Sequence, residues 1–263
     1  MGQDQRQVAV KTGGLLVIHY HGGPLGRSKQ CHEFFSGRHS LISFAHPEEL
    51  EVMAEVSHSF ILDNGAFSVW KSGKTLDVDG YVEWVDQWRR HPGFDWALIP
   101  DVINGSEDQN DGLLHDWPFP GDGVPVWHLN ESLERLGRLS SQWHRVAFGS
   151  TEGMEPGSKR FWSRIADAMG IVCDDLGRPL CKLHGLRMLD PRIFQSIPFA
   201  SADSASAVTR SFMPERRFGM YLPKKESQRA NIIADRVEAY SSAPLWKKGI
   251  NLQEDIFICL SGQ

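Results

Sequence analysis

The sequence has only four cysteines in 263 residues, and they are widely scattered: Cys31, Cys173, Cys181 and Cys259. No two of them have the CxxC or CxC spacing with which a zinc site positions its thiolates. This excludes a thiolate zinc site of the usual kind. We interpret the four residues as reduced, mostly buried thiols.

Long apolar segments are missing as well. No run approaches the roughly 20 apolar residues that a membrane-spanning helix needs, and Met1 to Val10 lacks the apolar region of a signal peptide. We therefore expect a soluble, cytoplasmic protein with no membrane partner. Neither a low-complexity linker nor an internal repeat interrupts the chain, which favours one domain.

The overall composition is that of an ordinary globular protein, with 41% hydrophobic and 23% charged residues. The formal net charge of −5 hides an asymmetry along the chain. Residues 210–248 hold nine Lys and Arg against four Asp and Glu, a charge of +5, which leaves −10 for the remainder. This segment is either the solvated face of a helix or a phosphate-binding strip, and composition alone favours neither.

Eight short apolar runs are candidate buried parallel strands. They cover residues 15–19, 41–45, 59–62, 96–99, 124–127, 146–148, 182–186 and 198–201. Apolar residues at helical spacing predict helices over 47–56, 78–88, 133–143, 158–172 and 228–240.

Strands that alternate with helices form βαβ units, and eight units in about 250 residues predict an α/β fold of the (β/α)8 TIM-like barrel type. We expect a single domain, with a barrel core over residues 1–209 and a basic helical segment over residues 210–263 that packs on the same barrel. A doubly wound open sheet is the rival fold. It would show a GxGxxG turn after the first strand, where this chain has His21-Gly22-Gly23-Pro24.

Polar side chains occur at the ends of the predicted strands, where the active sites of barrels form. They are His19, His21, His46, Asp63, Asp101, His128, Ser150, His184 and Asp203. Each alone has a plain structural explanation, such as capping a helix. Three Asp in one pocket indicate chemistry, because burial and repulsion raise some carboxyl pKa values while hydrogen bonds keep other carboxyls ionised. Such a set suits displacement at an anomeric carbon, where one carboxylate attacks and another group protonates the leaving group.

Six motifs occur in an order that resembles one family: LDNGAF (62–67), PDV (100–102), VWH (126–128), FGS (148–150), KLHGLRML (182–189) and ASADS (200–204). The family is the tRNA-guanine transglycosylase superfamily, which includes queuine and archaeosine tRNA enzymes and DNA enzymes that insert 7-deazaguanines. The resemblance runs from about residue 59 to residue 210 and is most specific at LDNGAF and at the last Asp.

The resemblance implies two catalytic residues. Asp203 would be the nucleophile that displaces guanine and holds the sugar as a covalent ester. Asp63 would be the acid/base or the sugar-orienting carboxylate. No metal and no organic cofactor would be required.

The resemblance also implies a set of substrate-binding residues: Phe67, Asp101, His128, Gly149, Ser150, His184 and Gly185. Phe67 would stack on the base, and Asp101 would accept hydrogen bonds from its N1 and 2-amino edge. His128 takes a place where the family commonly has Gln. The two FGS residues would supply backbone contacts, and the histidine and glycine of KLHGLRML would line the pocket.

The chain departs from the bacterial tRNA enzymes, which carry a CxCxxC-plus-His zinc site near the C terminus. It is also short, and we expect no added RNA-binding domain. We therefore expect a compact member of the DNA-acting or phage-associated type, with DNA ahead of tRNA and a free 7-deazaguanine base as partners. A buried target base would have to be flipped out. The basic segment would contact phosphates, through Arg210, Lys224, Lys225 and Arg229.

Two alternatives stay open. A metal-dependent, amidohydrolase-like barrel would activate a water through His19, His21, His128 and Asp203, although Asp101 and Ser150 stand where such enzymes have Lys and His. A catalytically inactive barrel that binds a nucleoside or a partner protein is the other.

Overall fold

The structure is a computed structural model that describes residues 17–23, 28–212 and 223–247. Within these ranges the backbone forms nine β-strands, and neighbouring strands run parallel. They are β1 (Ile18–Gly22), β2 (His39–Ser43), β3 (Ser59–Asp63), β4 (Phe94–Leu98), β5 (Gly123–Val124), β6 (Val126–His128), β7 (Arg145–Gly149), β8 (Lys182–Gly185) and β9 (Ser201–Ser204). Their order in the sheet is β5-β4-β3-β2-β1-β9-β8-β7-β6.

Pro125 divides the fifth barrel strand into β5 and β6. The first piece pairs with β4 and the second with β7, so the consecutive pieces close a ring of eight strands. Proline has no N–H for a ladder, but the carbonyl of Pro125 still accepts a hydrogen bond from the Ala147 N–H at 2.9 Å. The predicted (β/α)8 barrel is confirmed.

Helices lie between the strands in the sequence and cover the barrel. They are α1 (Ser28–Phe35), α2 (Leu50–Val56), α3 (Ala66–Ser72), α4 (Val78–Trp88), α5 (Glu107–His115), α6 (Leu133–Gln142), α7 (Lys159–Val172), α8 (Pro191–Phe194), α9 (Ser206–Ser211) and α10 (Glu226–Glu238). The five predicted helices correspond to α2 with its preceding 3-10 turn (Pro47–Glu49), α4, α6, α7 and α10. The other five have no predicted counterpart because none exceeds nine residues, which is too short to show a clear apolar period.

The first and last barrel strands are displaced from their predicted positions. β1 begins at Ile18, so His19 and His21 lie inside the strand rather than beyond its end, and residues 15 and 16 lie outside the described ranges. β9 runs over Ser201–Ser204 rather than 198–201, so Asp203 is inside a strand as well. The reason is that Phe199 packs in the apolar layer against the helices, while polar side chains of β9 meet other polar groups inside the barrel.

The barrel is filled by side chains and is a packed core, not a pore. Its interior cluster consists of Tyr20, Ile61, Trp96, Leu98, Val124, Val126 and Ala147. Two larger apolar clusters fill the layer between strands and helices. Cys31 is buried in one of them, and burial raises the pKa of the half-buried Cys181 thiol to about 11.

The last described helix, α10, belongs to the outer layer of the barrel. It packs on α1 and α9. Its apolar side Ala230–Ile233–Ala234 enters the same cluster as Phe34 of α1. Arg38 holds its last turn through ion pairs to Asp235 at 2.5 Å and Glu238 at 2.9 Å. Nowhere in the described ranges is a helix both long and apolar enough to cross a membrane.

Candidate active site

A cavity of about 290 Å³ opens at the C-terminal ends of the barrel strands. Seven of the nine predicted catalytic and substrate-binding residues line it: Asp63, Phe67, Asp101, His128, Gly149, Ser150 and Asp203. The structure therefore brings together residues from β3, β6, β7 and β9 that are up to 140 positions apart in the chain. The apolar side chains Leu41, Leu98 and Leu186 form part of its wall.

The LDNGAF motif forms the turn from β3 into α3. Asp63 ends the strand, and the Asn64 side-chain oxygen accepts a hydrogen bond from the Ala66 N–H at 2.8 Å. Gly65 has φ of +77°, and a Cβ there would come within 3.1 Å of the Ala45 nitrogen, so glycine is required on both counts. This tight turn places Phe67 in the first turn of α3, beside the cavity.

Among the residues that the structure describes, no cationic side chain forms an ion pair with Asp63. Its Oδ2 accepts a hydrogen bond from Ser43 Oγ at 2.8 Å. Burial raises the pKa of Asp63 to about 7, the charges of Asp203 and Asp101 add to the rise, and the Ser43 hydrogen bond opposes it. At neutral pH this carboxyl group is therefore present both with and without its proton. In the sequence Ser43 lies within an ordinary apolar run, which gives no sign of this contact.

Asp203 has different surroundings. It is buried, and its Oδ1 accepts hydrogen bonds from the Arg187 N–H at 3.1 Å and from His184 Nε2 at 3.2 Å. Both hydrogen bonds hold the carboxyl group in one orientation. The two carboxyl groups of the cavity are thus held in unlike environments.

A chain of hydrogen bonds behind Asp203 fixes the tautomer of His184. The Arg145 guanidinium donates to Ser201 Oγ at 2.8 Å, and this hydroxyl lies 2.8 Å from His184 Nδ1. Burial lowers the pKa of His184, so the ring is neutral. Because arginine only donates, the Ser201 hydroxyl is free to donate to Nδ1, and the ring proton sits on Nε2, facing Asp203.

His184 and Gly185 lie behind the cavity, which corrects the expectation that both line the pocket. His184 is fully buried and supports Asp203. Gly185 packs against the core, where a Cβ would lie 2.8 Å from Phe199 and 2.9 Å from Met188. Both belong to the site as positioning residues.

Asp101 and His128 form a buried pair on another wall of the cavity. His128 Nε2 lies 2.8 Å from Asp101 Oδ2, and Asn64 Nδ2 donates to Oδ1 at 2.7 Å. Both Asp101 oxygens already accept a bond, although each retains a second lone pair. His128 Nδ1 is buried without a hydrogen-bond partner in the described part of the chain, next to Gly149. Asn64 is therefore a further residue of the site, in addition to those predicted from the sequence.

Arg187, which is part of the KLHGLRML motif, is a further site residue that was not among the predicted ones. Its backbone has φ of +59°, a conformation that is uncommon for a side-chain-bearing residue and that turns its N–H toward Asp203. Its guanidinium lies 3.8 Å from the centre of the Phe67 ring and donates to Ser150 Oγ at 2.8 Å. The side chain therefore joins the LDNGAF, FGS and KLHGLRML motifs at the mouth of the cavity.

The structure corrects one of the four predicted phosphate-binding residues. Arg229 is buried, and its guanidinium donates to the carbonyls of Ser211, Pro223 and Lys224. Its Nε and Nη1 groups hold α10 to the end of α9, so the side chain has a structural role. Lys225 is exposed and pairs with Glu33 of α1 at 3.1 Å.

Lys224 is exposed, and Arg210 is half-buried at the end of α9. None of the four residues lines the cavity. Arg216, Arg217 and Lys248 of the basic segment lie outside the described residues.

The metal-binding alternative fails on geometry. Tyr20 points into the barrel, and its neighbours His19 and His21 point outward. His21 Nε2 contacts Glu238 of α10 at 2.9 Å, and His19 Nε2 lies 3.1 Å from the Tyr240 carbonyl. Across the described ranges no three His, Cys, Asp or Glu side chains are grouped as a metal site requires.

No protein-family model matches the chain, and no curated protein matches it significantly. Solved structures match its fold, among them mutant forms of the tryptophan synthase alpha-subunit from the hyperthermophile Pyrococcus furiosus. One has a TM-score of 0.54 at 12% identity, covering 86% of this chain and 99% of that chain. Another has a TM-score of 0.53 at 13% identity, covering 86% and 97%. Identities this low show a shared TIM-barrel fold and nothing about the reaction.

Proposed function

We propose that this chain is a transglycosylase that exchanges a guanine in a nucleic acid, DNA in preference to tRNA, for a free 7-deazaguanine base. The observation that carries the proposal is the pair of carboxyl groups, Asp63 and Asp203, in unlike surroundings in one cavity. The motif resemblance of residues 59–210 supports the choice of substrate.

A double displacement needs one carboxylate that attacks and one carboxyl group that transfers protons. The unlike surroundings of Asp203 and Asp63 suit them to these two roles. Asp203 accepts hydrogen bonds from two N–H donors on Oδ1, which orient the carboxyl group for its role as the nucleophile. Asp63 has a pKa raised to about 7 by burial, so it is able to give and take a proton near neutral pH. Two carboxyl groups with separate roles are the usual basis of glycosidic bond cleavage.

In the first step, a carboxylate oxygen of Asp203 attacks the anomeric carbon of the target nucleotide. The bond to the glycosidic nitrogen breaks, its electron pair leaves with guanine, and neutral Asp63 donates a proton to the leaving base. The sugar remains joined to Asp203 as an ester. In the second step, the incoming base loses its glycosidic N–H proton to Asp63 and attacks the same carbon, which releases Asp203 as a carboxylate.

The rest of the cavity suits a flat, polar ligand. Phe67, with the Arg187 guanidinium over its ring, offers a stacking face at the mouth. Asp101 has acceptor capacity left on both oxygens for the N–H groups of a guanine edge, and His128 orients it.

The proposal is tested by incubating the chain with DNA and, separately, with tRNA, each with labelled guanine or a labelled 7-deazaguanine base. We expect label to enter DNA, and a covalent DNA–protein adduct to form when no incoming base is present. Asp203→Ala removes both signals. Asp79→Asn, which changes an exposed acid in the first turn of α4, serves as the matched control and keeps them.

No incorporation into either polymer, with Asp203→Ala indistinguishable from the parent, refutes the proposal. The alternative of a catalytically inactive barrel that only binds its partner is then favoured. Release of guanine without incorporation of label shows that the reaction is base hydrolysis and not exchange, because water then hydrolyses the ester.

A further inference from the structure

Helix α3 carries exposed aromatic rings beside the cavity. Phe67 is 37% exposed and Trp70 is 39% exposed, and their ring centres lie 5.8 Å apart. Of the eight exposed large apolar side chains in the described ranges, only these two are in ring contact with each other. Phe67 lines the cavity, so the aromatic surface begins at its mouth and continues outward to Trp70.

Positive charge accompanies these rings. Lys71 and Lys74 follow Trp70 in the chain, and both are exposed. Neither has an ion-pair partner among the residues that the structure describes. We call Phe67, Trp70, Lys71 and Lys74 the α3 platform. Arg187, stacked on the Phe67 ring, extends it over the cavity.

Flat rings interleaved with unpaired cations fit one kind of partner, a single nucleic-acid strand. Bases stack on exposed aromatic side chains, and phosphates pair with Lys and Arg. A protein partner would favour a wider apolar patch without free cations. The described residues form no such patch around Trp70, because Ser68, Lys71 and Ser72 are exposed on the same helix.

The size of the cavity supports a strand rather than an intact duplex. A volume of about 290 Å³ is at the small end of ligand cavities, which suits one base and its sugar. A base that enters it leaves its stack, and the neighbouring base then loses one stacking partner. An exposed ring beside the mouth replaces that partner.

We propose that the α3 platform binds the strand that delivers the target base, with the nucleotide next to the target stacked on Trp70 and its phosphates beside Lys71 and Lys74. This inference rests on the proposed function for the identity of the target. In this proposal the main contact with the nucleic acid is the α3 platform and not the basic segment 210–248, which the sequence predicted.

The test is the affinity of the full chain for a fluorescently labelled single-stranded DNA of about ten nucleotides, measured by anisotropy across a salt series. We expect Trp70→Ala to weaken binding by about 5- to 100-fold, as expected for loss of one stacked base, and Trp70→Phe to retain most of the affinity. The double change Lys71→Gln, Lys74→Gln lowers the slope of log affinity against log salt by about 1.4.

Matched controls come from the opposite end of the barrel and from the basic segment. Leu176→Ala, which changes an exposed apolar residue after α7, and Lys182→Gln, at the start of β8, leave binding unchanged. The double change Lys224→Gln, Lys225→Gln has a smaller effect than the double change at Lys71 and Lys74. A larger loss of DNA affinity from the changes at Lys224 and Lys225 would show that the basic segment makes the main contact, and it would overturn the inference.

The outcomes separate this inference from the proposed reaction. Strand binding that depends on Trp70, without any base exchange, supports the platform and refutes the transglycosylase. Exchange on DNA or tRNA that is unaffected by Trp70→Ala refutes the platform alone. Failure to bind single strands of DNA or RNA, or equal binding by Trp70→Ala, overturns the inference, as does preferential binding to anionic vesicles.

Discussion

Replacing Asp63 by Asn makes the folded protein more stable, and the gain grows with pH. The pKa of Asp63 rises from 3.8 in the unfolded chain to about 7 in the fold, chiefly because burial disfavours the charged carboxylate. Below 3.8 the carboxyl group is protonated in both states and has no effect. Between the two values only the unfolded chain loses the proton, so the parent loses stability as pH rises, and above about 7 the loss stays constant.

The magnitude follows from the two pKa values. At about 1.4 kcal/mol per pKa unit, the parent loses about 1.7 kcal/mol at pH 5 and about 4 kcal/mol at pH 8. Asp63→Asn removes this term, and its advantage therefore rises by about 2.5 kcal/mol between those pH values. This is an upper limit, because Asp63 is half-buried and water in the cavity reduces the burial cost.

Urea unfolding of the parent and of Asp63→Asn at several pH values between 5 and 8 measures the difference. The change with pH is the readout, because any constant offset reflects the packing of the amide. Asp79→Asn, an exposed acid, is the control and shows no such trend. A difference between the two proteins that varies by less than about 0.5 kcal/mol over this range refutes the assignment of a raised Asp63 pKa.

Three further changes test other parts of the site and its support. Ser43→Ala removes the donor at 2.8 Å from Asp63, so the pKa of that carboxyl group rises above about 7 and the pH profile of base exchange moves upward. Arg229→Met leaves three carbonyls without a donor, which lowers the free energy of unfolding by about 2–4 kcal/mol in urea titrations while strand affinity stays within about twofold. Glu131→Gln weakens the buried ion pair to Arg135 at 2.7 Å and costs about 2–4 kcal/mol by the same measurement.

The spacing of apolar residues in the sequence predicted the helices that pack one side against the apolar layer of the barrel. Helices α4, α6 and α7 have apolar residues at regular helical spacing, and their observed bounds lie within a residue or two of the expected ones. β9 was misplaced because its inward residues, Ser201 and Asp203, are polar and their partners come from β7 and β8. Apolar runs in the sequence do not reveal a strand whose polar side chains are buried against partners that are distant in the chain.

The same contrast between residues predicted from the sequence and contacts seen only in the structure applies to the candidate site. Asp63, Asp101 and Asp203 follow from the motifs and from their positions near strand ends, but the contacts that distinguish them do not. Ser43 on Asp63 and Arg187 on Asp203 and Phe67 come from other strands and loops. No spacing in the sequence indicates these contacts.

The sequence by itself determined the barrel, the alternation of its strands with its longer helices, and the group of carboxyl residues at one end, because apolar periodicity and strand-end position are local properties. The tertiary structure alone decided which histidines face the interior, that Arg229 is buried, and that Asp63 and Asp203 differ in their surroundings. The physical reason is that burial and hydrogen bonding depend on side chains that are distant in the chain and become neighbours only when β5 and β6 close the ring.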